Sequence, residues 1–279
     1  MAAADPALVE KRASIDAALG GVPLAEGTTA ADRTLGGVPV IEVTADAAGP
    51  VLLYLHGGGF RMGSAVSYRA YGSHLAKAIG GRVVVVDYRL APEDPFPAAP
   101  DDVAAVYAAL LDEGVAAGSI VVAGDSAGGN LSAGLVLSAR QRGLPDPAGV
   151  VCCSPWADLT NTAATYATRA EVDQLFSLAS ATEAAAAYLA GGTDPKEPLA
   201  SPVFGDWRGA PPTLVQVGAL EVLLDDAATL ASALRGAGVD VRHRVYADMP
   251  HVWQLGYPAL PQAVEAVDEI AAFVREVTA

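Results

Sequence analysis

A serine set between glycines, Gly124-Asp125-Ser126-Ala127-Gly128, follows the apolar run Ile120 to Val122 and precedes a helical stretch from Asn130. That context reads as a nucleophile elbow, where a sharp strand-to-helix turn lifts the hydroxyl above a sheet and needs small neighbours. Gly124, Ala127 and Gly128 supply them. The helix N-terminus beneath the serine puts a positive dipole end where an oxyanion would form. A second glycine run, His56-Gly57-Gly58-Gly59-Phe60, follows the apolar segment Val51 to Leu55. Glycines let backbone N–H groups converge on one concavity without side-chain obstruction. Gly58 and Gly59, with the N–H of Ala127, are therefore expected to form an oxyanion hole for a tetrahedral acyl-transfer intermediate. Neither the G-x-x-x-x-G-K-[ST] pattern nor G-x-G-x-x-G spacing is present, which argues against a nucleotide in that loop. His56 is expected to anchor the loop.

A serine nucleophile needs a base, and the chain has four histidines, His56, His74, His243 and His251. His74 lies in a helical stretch, and His243 sits inside the run Val241 to Tyr246 between two arginines. His251 follows that run in the loop Asp248-Met249-Pro250-His251, where a base can reach a serine at the carboxyl edge of a sheet. The base in turn needs a carboxylate to hold its tautomer and stabilise the imidazolium. Glu221, just beyond the run Thr213 to Val217, is the favoured partner. Asp225 is the alternative left open, although Asp225 and Asp226 read as first-turn residues of the next helix. The order Ser126, Glu221, His251 suits nucleophilic catalysis through an acyl-serine.

These residues sit at the ends of short apolar runs: Val38 to Val43, Val51 to Leu55, Val83 to Val86, Ile120 to Val122, Val150 to Cys153, Thr213 to Val217 and Val241 to Tyr246. Between them lie Ala-rich helical segments at 71–78, 100–111, 130–141, 227–235 and 261–277. Continuous apolar strands alternating with helices predict an α/β fold, a mostly parallel sheet covered on both faces. Residues 6–19 read as an amphipathic helix on the spacing of Leu8, Val9, Ile15 and Leu19. From Ala157 to Asp206 no strand pattern occurs. Helical pieces at 171–178 and 183–189 suggest a lid there, joined by the N-terminal helix. Phe60, Trp156 and Trp253 lie near the motifs and are expected to line a substrate pocket.

Composition narrows the partners. With 17 Lys and Arg against 32 Asp and Glu, the 279-residue chain carries a net charge of −15, which disfavours nucleic acid and anionic membranes. Its 52% hydrophobic content is that of a folded core rather than a disordered polyelectrolyte. No apolar stretch reaches the roughly 18 residues of a membrane span. Met1 to Leu19 carries Asp5, Glu10 and Asp16 and lacks a signal core, so a cytoplasmic location is expected. Cys152 and Cys153 are adjacent, too few for a zinc site and strained as a disulfide, and read as buried strand residues.

Several blocks together resemble the hormone-sensitive-lipase-like branch of the α/β-hydrolases, which includes bacterial carboxylesterases and lactone hydrolases. They are H-G-G-G-F at 56–60, D-Y-R-L-A-P-E at 87–93, G-D-S-A-G-G-N at 124–130, S-P-W-A-D-L at 154–159 and H-V-W at 251–253. The resemblance implies a single domain over 1–279 with an eight-stranded, mostly parallel sheet. A small helical cap would come from about 1–35 and about 160–206. It also implies ester hydrolysis through an acyl-serine, with no metal or cofactor; a small carboxylic ester of short acyl chain is the expected substrate. A lactone is the alternative substrate, and a non-catalytic small-molecule receptor is the alternative of another class. Pairing of two copies through the edge strand at 241–246 stays open. Two departures stand out: Glu221-Val222-Leu223 replaces the family's usual D-P-L, and Asp94 replaces the histidine that often follows P-E. The loop from Tyr88 to Pro100 is expected to brace the oxyanion loop.

Overall fold

The computed structural model describes residues 5–279. Eight strands form one sheet: β1 (Thr29–Leu35), β2 (Val38–Thr44), β3 (Val51–Leu55), β4 (Arg82–Val86), β5 (Ile120–Asp125), β6 (Gly149–Cys153), β7 (Thr213–Gly218) and β8 (Val241–Tyr246). Their order is β1-β2-β4-β3-β5-β6-β7-β8. β2 runs antiparallel to both β1 and β4, and the remaining pairs are parallel.

The helices are α1 (Pro6–Leu19), α2 (Ala65–Ile79), α3 (Ala98–Asp112), α4 (Ala127–Gln141), α5 (Thr165–Thr168), α6 (Leu178–Tyr188), α7 (Leu224–Gly236) and α8 (Pro261–Val277). Side chains alternate across the pleat, so the sheet feeds two cores. Leu53, Leu55, Val84, Val86 and Val122 meet α3, α4 and α7 through Tyr107, Leu131 and Leu230. Leu52, Tyr54, Val83, Val85 and Val121 meet α2 and α8 through Leu75, Ile270 and Phe273. Strands buried on both faces are why the sequence shows unbroken valine and leucine runs rather than alternation.

Four expectations are corrected. β1 has the residues Thr-Ala-Ala-Asp-Arg-Thr-Leu, of which only Leu35 is buried. An edge strand held by its register with β2 carries no apolar pattern, and it lies in the sheet rather than in a cap reaching to about residue 35. Residues 1–4 of that segment fall outside the described residues. α2 starts at Ala65, well before Tyr71, because the Ser64 and Ser67 side chains form a reciprocal cap. Residues 171–177 are not helical: the Asp173 carboxylate accepts the N–H groups of Leu175 and Phe176 and holds them in a turn. Finally, α1 forms where its pattern predicts, but none of its residues is buried. Among the described residues, no helix is long and apolar enough to cross a membrane.

Candidate active site

The carboxyl ends of β3, β5, β6, β7 and β8, neighbours in the sheet, deliver His56, Ser126, Ser154, Glu221 and His251 to one edge. Ser126 follows β5 directly and takes φ 54° and ψ −116°. For a residue with a Cβ this backbone costs about 1–3 kcal/mol. Its N–H donates to Cys153 O at 2.9 Å, and its own carbonyl accepts the N–H groups of Asn130 and Trp156, both at 3.1 Å. These bonds hold the strained turn. A Cβ at Gly128 would overlap the carbonyl of Leu55, so α4 starts this close to β3 only with glycine there.

The hydroxyl of Ser126 lies 3.0 Å from His251 Nε2. His251 Nδ1 lies 2.8 Å from Glu221 Oε2. A carboxylate can only accept, so the ring proton sits on Nδ1 and leaves Nε2 free to accept from the serine. The other Glu221 oxygen accepts the Ser154 hydroxyl at 2.7 Å and the Gly218 N–H at 2.5 Å. Glu221 is fully buried, so each lone pair it offers needs such a donor. The Ser154 hydroxyl also accepts the Val252 N–H at 3.3 Å, which joins β6 to the His251 loop. Burial opposes a charge on His251. The hydrogen bond and charge of Glu221, with the charges of Asp173 and Asp125, outweigh it and lift the imidazole above its ordinary value of 6.5.

Asp225 does not reach the histidine. Its carboxylate accepts the Thr165 N–H at 3.2 Å, and Asp226 accepts the N–H groups of Ala157 and Asp158. Both tie the segment after β6 to the first turn of α7.

Gly58 and Gly59 line a cavity of about 740 Å³ together with Ser126 and His251. Among the described residues, no acceptor takes the N–H of Gly58, Gly59 or Ala127. Gly58 stands at φ 120°, where a Cβ would run into the carbonyl of Met62. Tyr88 donates its hydroxyl to His56 O at 2.7 Å, and Ala91 donates its N–H to Phe60 O at 2.9 Å. The loop after β4 thus braces the glycine loop, with the His56 ring stacked on Tyr88 at 4.2 Å. Asp125 holds the same loop from below. It accepts the Tyr54 and Tyr68 hydroxyls, both at 2.9 Å, and the Gly57 N–H at 3.2 Å, while burial pushes its carboxyl up to about 6.

The three aromatics expected in the pocket are elsewhere. Phe60 and Trp156 are fully buried, Phe60 stacked on Tyr188 at 3.8 Å. Trp253 packs against Tyr246 at 4.8 Å, beside α8. The apolar wall comes instead from Leu8, Met62, Leu175, Phe176, Val252 and Leu255. Phe176 lies parallel to the His251 ring at 5.7 Å. Sequence reasoning missed Phe176, Asp173 and the contact of Ser154 with Glu221; only Ser154 lay in a motif already noted. Cys152 and Cys153 are free and buried on β6, where burial pushes the Cys152 thiol up to about 12. Among the described residues, no group of three or more His, Cys, Asp or Glu side chains could hold a metal ion.

Residues 52–255 match the family described as the alpha/beta hydrolase fold. An acetyl-hydrolase of Streptomyces hygroscopicus is 45% identical over 230 residues, 82% of this chain and 77% of its own. An esterase of Acinetobacter venetianus is 38% identical over 227 residues, 81% of this chain and 75% of its own. Among solved structures, an esterase from the bacterial hormone-sensitive lipase family superposes with a TM-score of 0.94 at 41% identity, covering 100% of this chain and 94% of the other.

Proposed function

The chain belongs to the alpha/beta hydrolase family, in its hormone-sensitive-lipase branch, and is an enzyme acting on ester bonds; from that premise we propose that Ser126, His251 and Glu221 carry the hydrolysis. The observation behind this reading is the hydrogen-bonded series Ser126–His251–Glu221, at 3.0 and 2.8 Å, at a cavity beside free N–H groups. A non-catalytic receptor is set aside by the esterase relatives.

In the proposed cycle, Ser126 Oγ attacks the ester carbonyl while His251 Nε2 takes its proton. The N–H groups of Gly58, Gly59 and Ala127 receive the oxyanion, and Glu221 stabilises the imidazolium. His251 then returns the proton to the leaving alkoxide as its bond to the acyl carbon breaks. Water, deprotonated by His251, attacks the acyl carbon; its bond to Ser126 Oγ then breaks, His251 returns the proton to that oxygen, and the acid leaves.

Gly58→Ala tests the oxyanion donors. The added methyl meets the Met62 carbonyl and shifts the loop, so kcat is expected to fall roughly 10²-fold, the effect of losing one donor. A circular dichroism melt run in parallel separates this from unfolding. A kcat within threefold of wild type would remove Gly58 from the site.

The proposed substrates are small esters of short acyl chain. A relative named acetyl-hydrolase supports this reading, as does a cavity within the roughly 300–1,000 Å³ range of small-molecule sites. Initial rates on acetyl, butyryl and octanoyl esters and on a γ-lactone check it. Acetyl or butyryl is expected to be fastest; a faster lactone would replace the ester reading, and a faster octanoyl ester would overturn the short-chain one.

A further inference from the structure

α1 forms one wall of the cavity through Ala7, Leu8 and Lys11, yet it buries no residue. Apolar packing therefore contributes little to its seat, and polar tethers hold it. One of these reaches the ester site. The Arg12 guanidinium donates to Arg61 O at 2.7 Å, to Ala91 O at 2.8 Å, and to both oxygens of Glu93 at 2.5 and 3.0 Å. Its partners lie on two separate loops. Arg61 belongs to the turn after Gly58 and Gly59, in which the Arg61 and Met62 N–H groups donate to Gly58 O at 3.1 and 3.0 Å. Ala91 and Glu93 belong to the loop that braces Phe60.

We propose that Arg12 is a positioning residue, whose forked side chain latches α1 over the cavity as a substrate-selecting wall and fixes the turn beyond Gly58. The proposal rests on the reading of Ser126 and its cavity as the ester site. The chemistry suits arginine: four donated bonds in three directions need a planar fork, which a lysine ammonium on its flexible stem does not supply. The Arg12 hydrogen bond, against burial, holds the Glu93 carboxyl below its ordinary range, so the latch stays charged through neutral and mildly acidic pH. The other tethers of this region, Asp16 to the Ser64 hydroxyl and Arg69 to Gly20 O, sit at its far end and leave the wall residues to Arg12.

The test combines kinetics with hydrogen exchange on Arg12→Gln, Arg12→Lys and wild type. Ethyl octanoate and octyl acetate carry a long alkyl chain on opposite sides of the carbonyl, whereas ethyl acetate carries none. Arg12→Gln is expected to raise KM about tenfold for the long ester whose chain lies against Leu8 and to leave the KM for ethyl acetate within twofold, while kcat falls severalfold on all three esters as the turn beyond Gly58 loosens. Amide exchange over residues 6–19 and 58–62 should rise severalfold while that of β5 stays as in wild type. Arg12→Lys should behave like Arg12→Gln. Unchanged KM for both long esters, an equal KM shift for all three, unchanged exchange in α1, or full recovery with lysine would each overturn the latch. The exchange arm needs no turnover, so an error in the assignment of Ser126 would show separately, as failure of wild type to take up a phosphonate.

Discussion

Ser126→Ala is expected to lower kcat by about 10⁴- to 10⁶-fold on a short-chain aryl ester, leaving only what the N–H donors and substrate binding supply. The fold should survive. The backbone at 126 is held by bonds from its N–H and carbonyl to Cys153, Asn130 and Trp156, none of which uses the hydroxyl. Relief of side-chain contacts at φ 54° is also minor, because alanine keeps the Cβ. His251→Ala should cost nearly as much, and the double variant little more than either single one, because nucleophile and base act as a unit. Additive losses would mean that the two side chains work independently, against the 3.0 Å contact between them. Steady-state kinetics of the three variants, with melting curves, decides the point.

Glu221→Gln is the second large effect, expected at about 10⁴-fold in kcat. Glutamine keeps the shape, but its amide can present a donor to Nδ1. The ring is then no longer held with its proton on that nitrogen and Nε2 open to Ser126. The pH profile adds an independent reading. A general base must be neutral, so kcat/KM falls as pH drops through the His251 pKa. In wild type that limb should lie above 6.5, since Glu221 and its neighbouring carboxylates outweigh burial. Without the Glu221 charge, burial gains weight and the limb should move to lower pH. Asp225→Asn, by contrast, should leave both kcat and limb in place, because Asp225 faces Thr165 and not the ring. A large loss in Asp225→Asn and a small one in Glu221→Gln would exchange their roles.

The central parallel strands, β3 to β7, were legible because both of their faces are buried, so each is an apolar run with few ambiguities. Two residues at the strand ends followed from that: Ser126 and Glu221 come just after such runs, whereas His251 follows the half-exposed edge strand β8, and the structure brings the three into contact. β1 was not legible, since an edge strand with one buried residue owes its conformation to its partner. Pocket residues were the least legible. Phe60, Trp156 and Trp253 are near the motifs in sequence, but their large rings fill core. Leu175 and Phe176 instead come from a turn set by the Asp173 carboxylate, which also accepts the Val222 N–H at 2.9 Å. No local pattern announces a contact across that span of chain. The seat of α1 was hidden for the same reason, because Arg12 finds partners on two distant loops.

Intact-protein and peptide mass spectrometry after reaction with a p-nitrophenyl alkylphosphonate reads the central claim in one experiment. The account predicts one phosphonyl adduct per chain, on the peptide carrying Ser126, formed with loss of activity, absent in Ser126→Ala and much slowed in His251→Ala. Full inactivation with the adduct on another residue, or an unlabelled Ser126 in active enzyme, would contradict it.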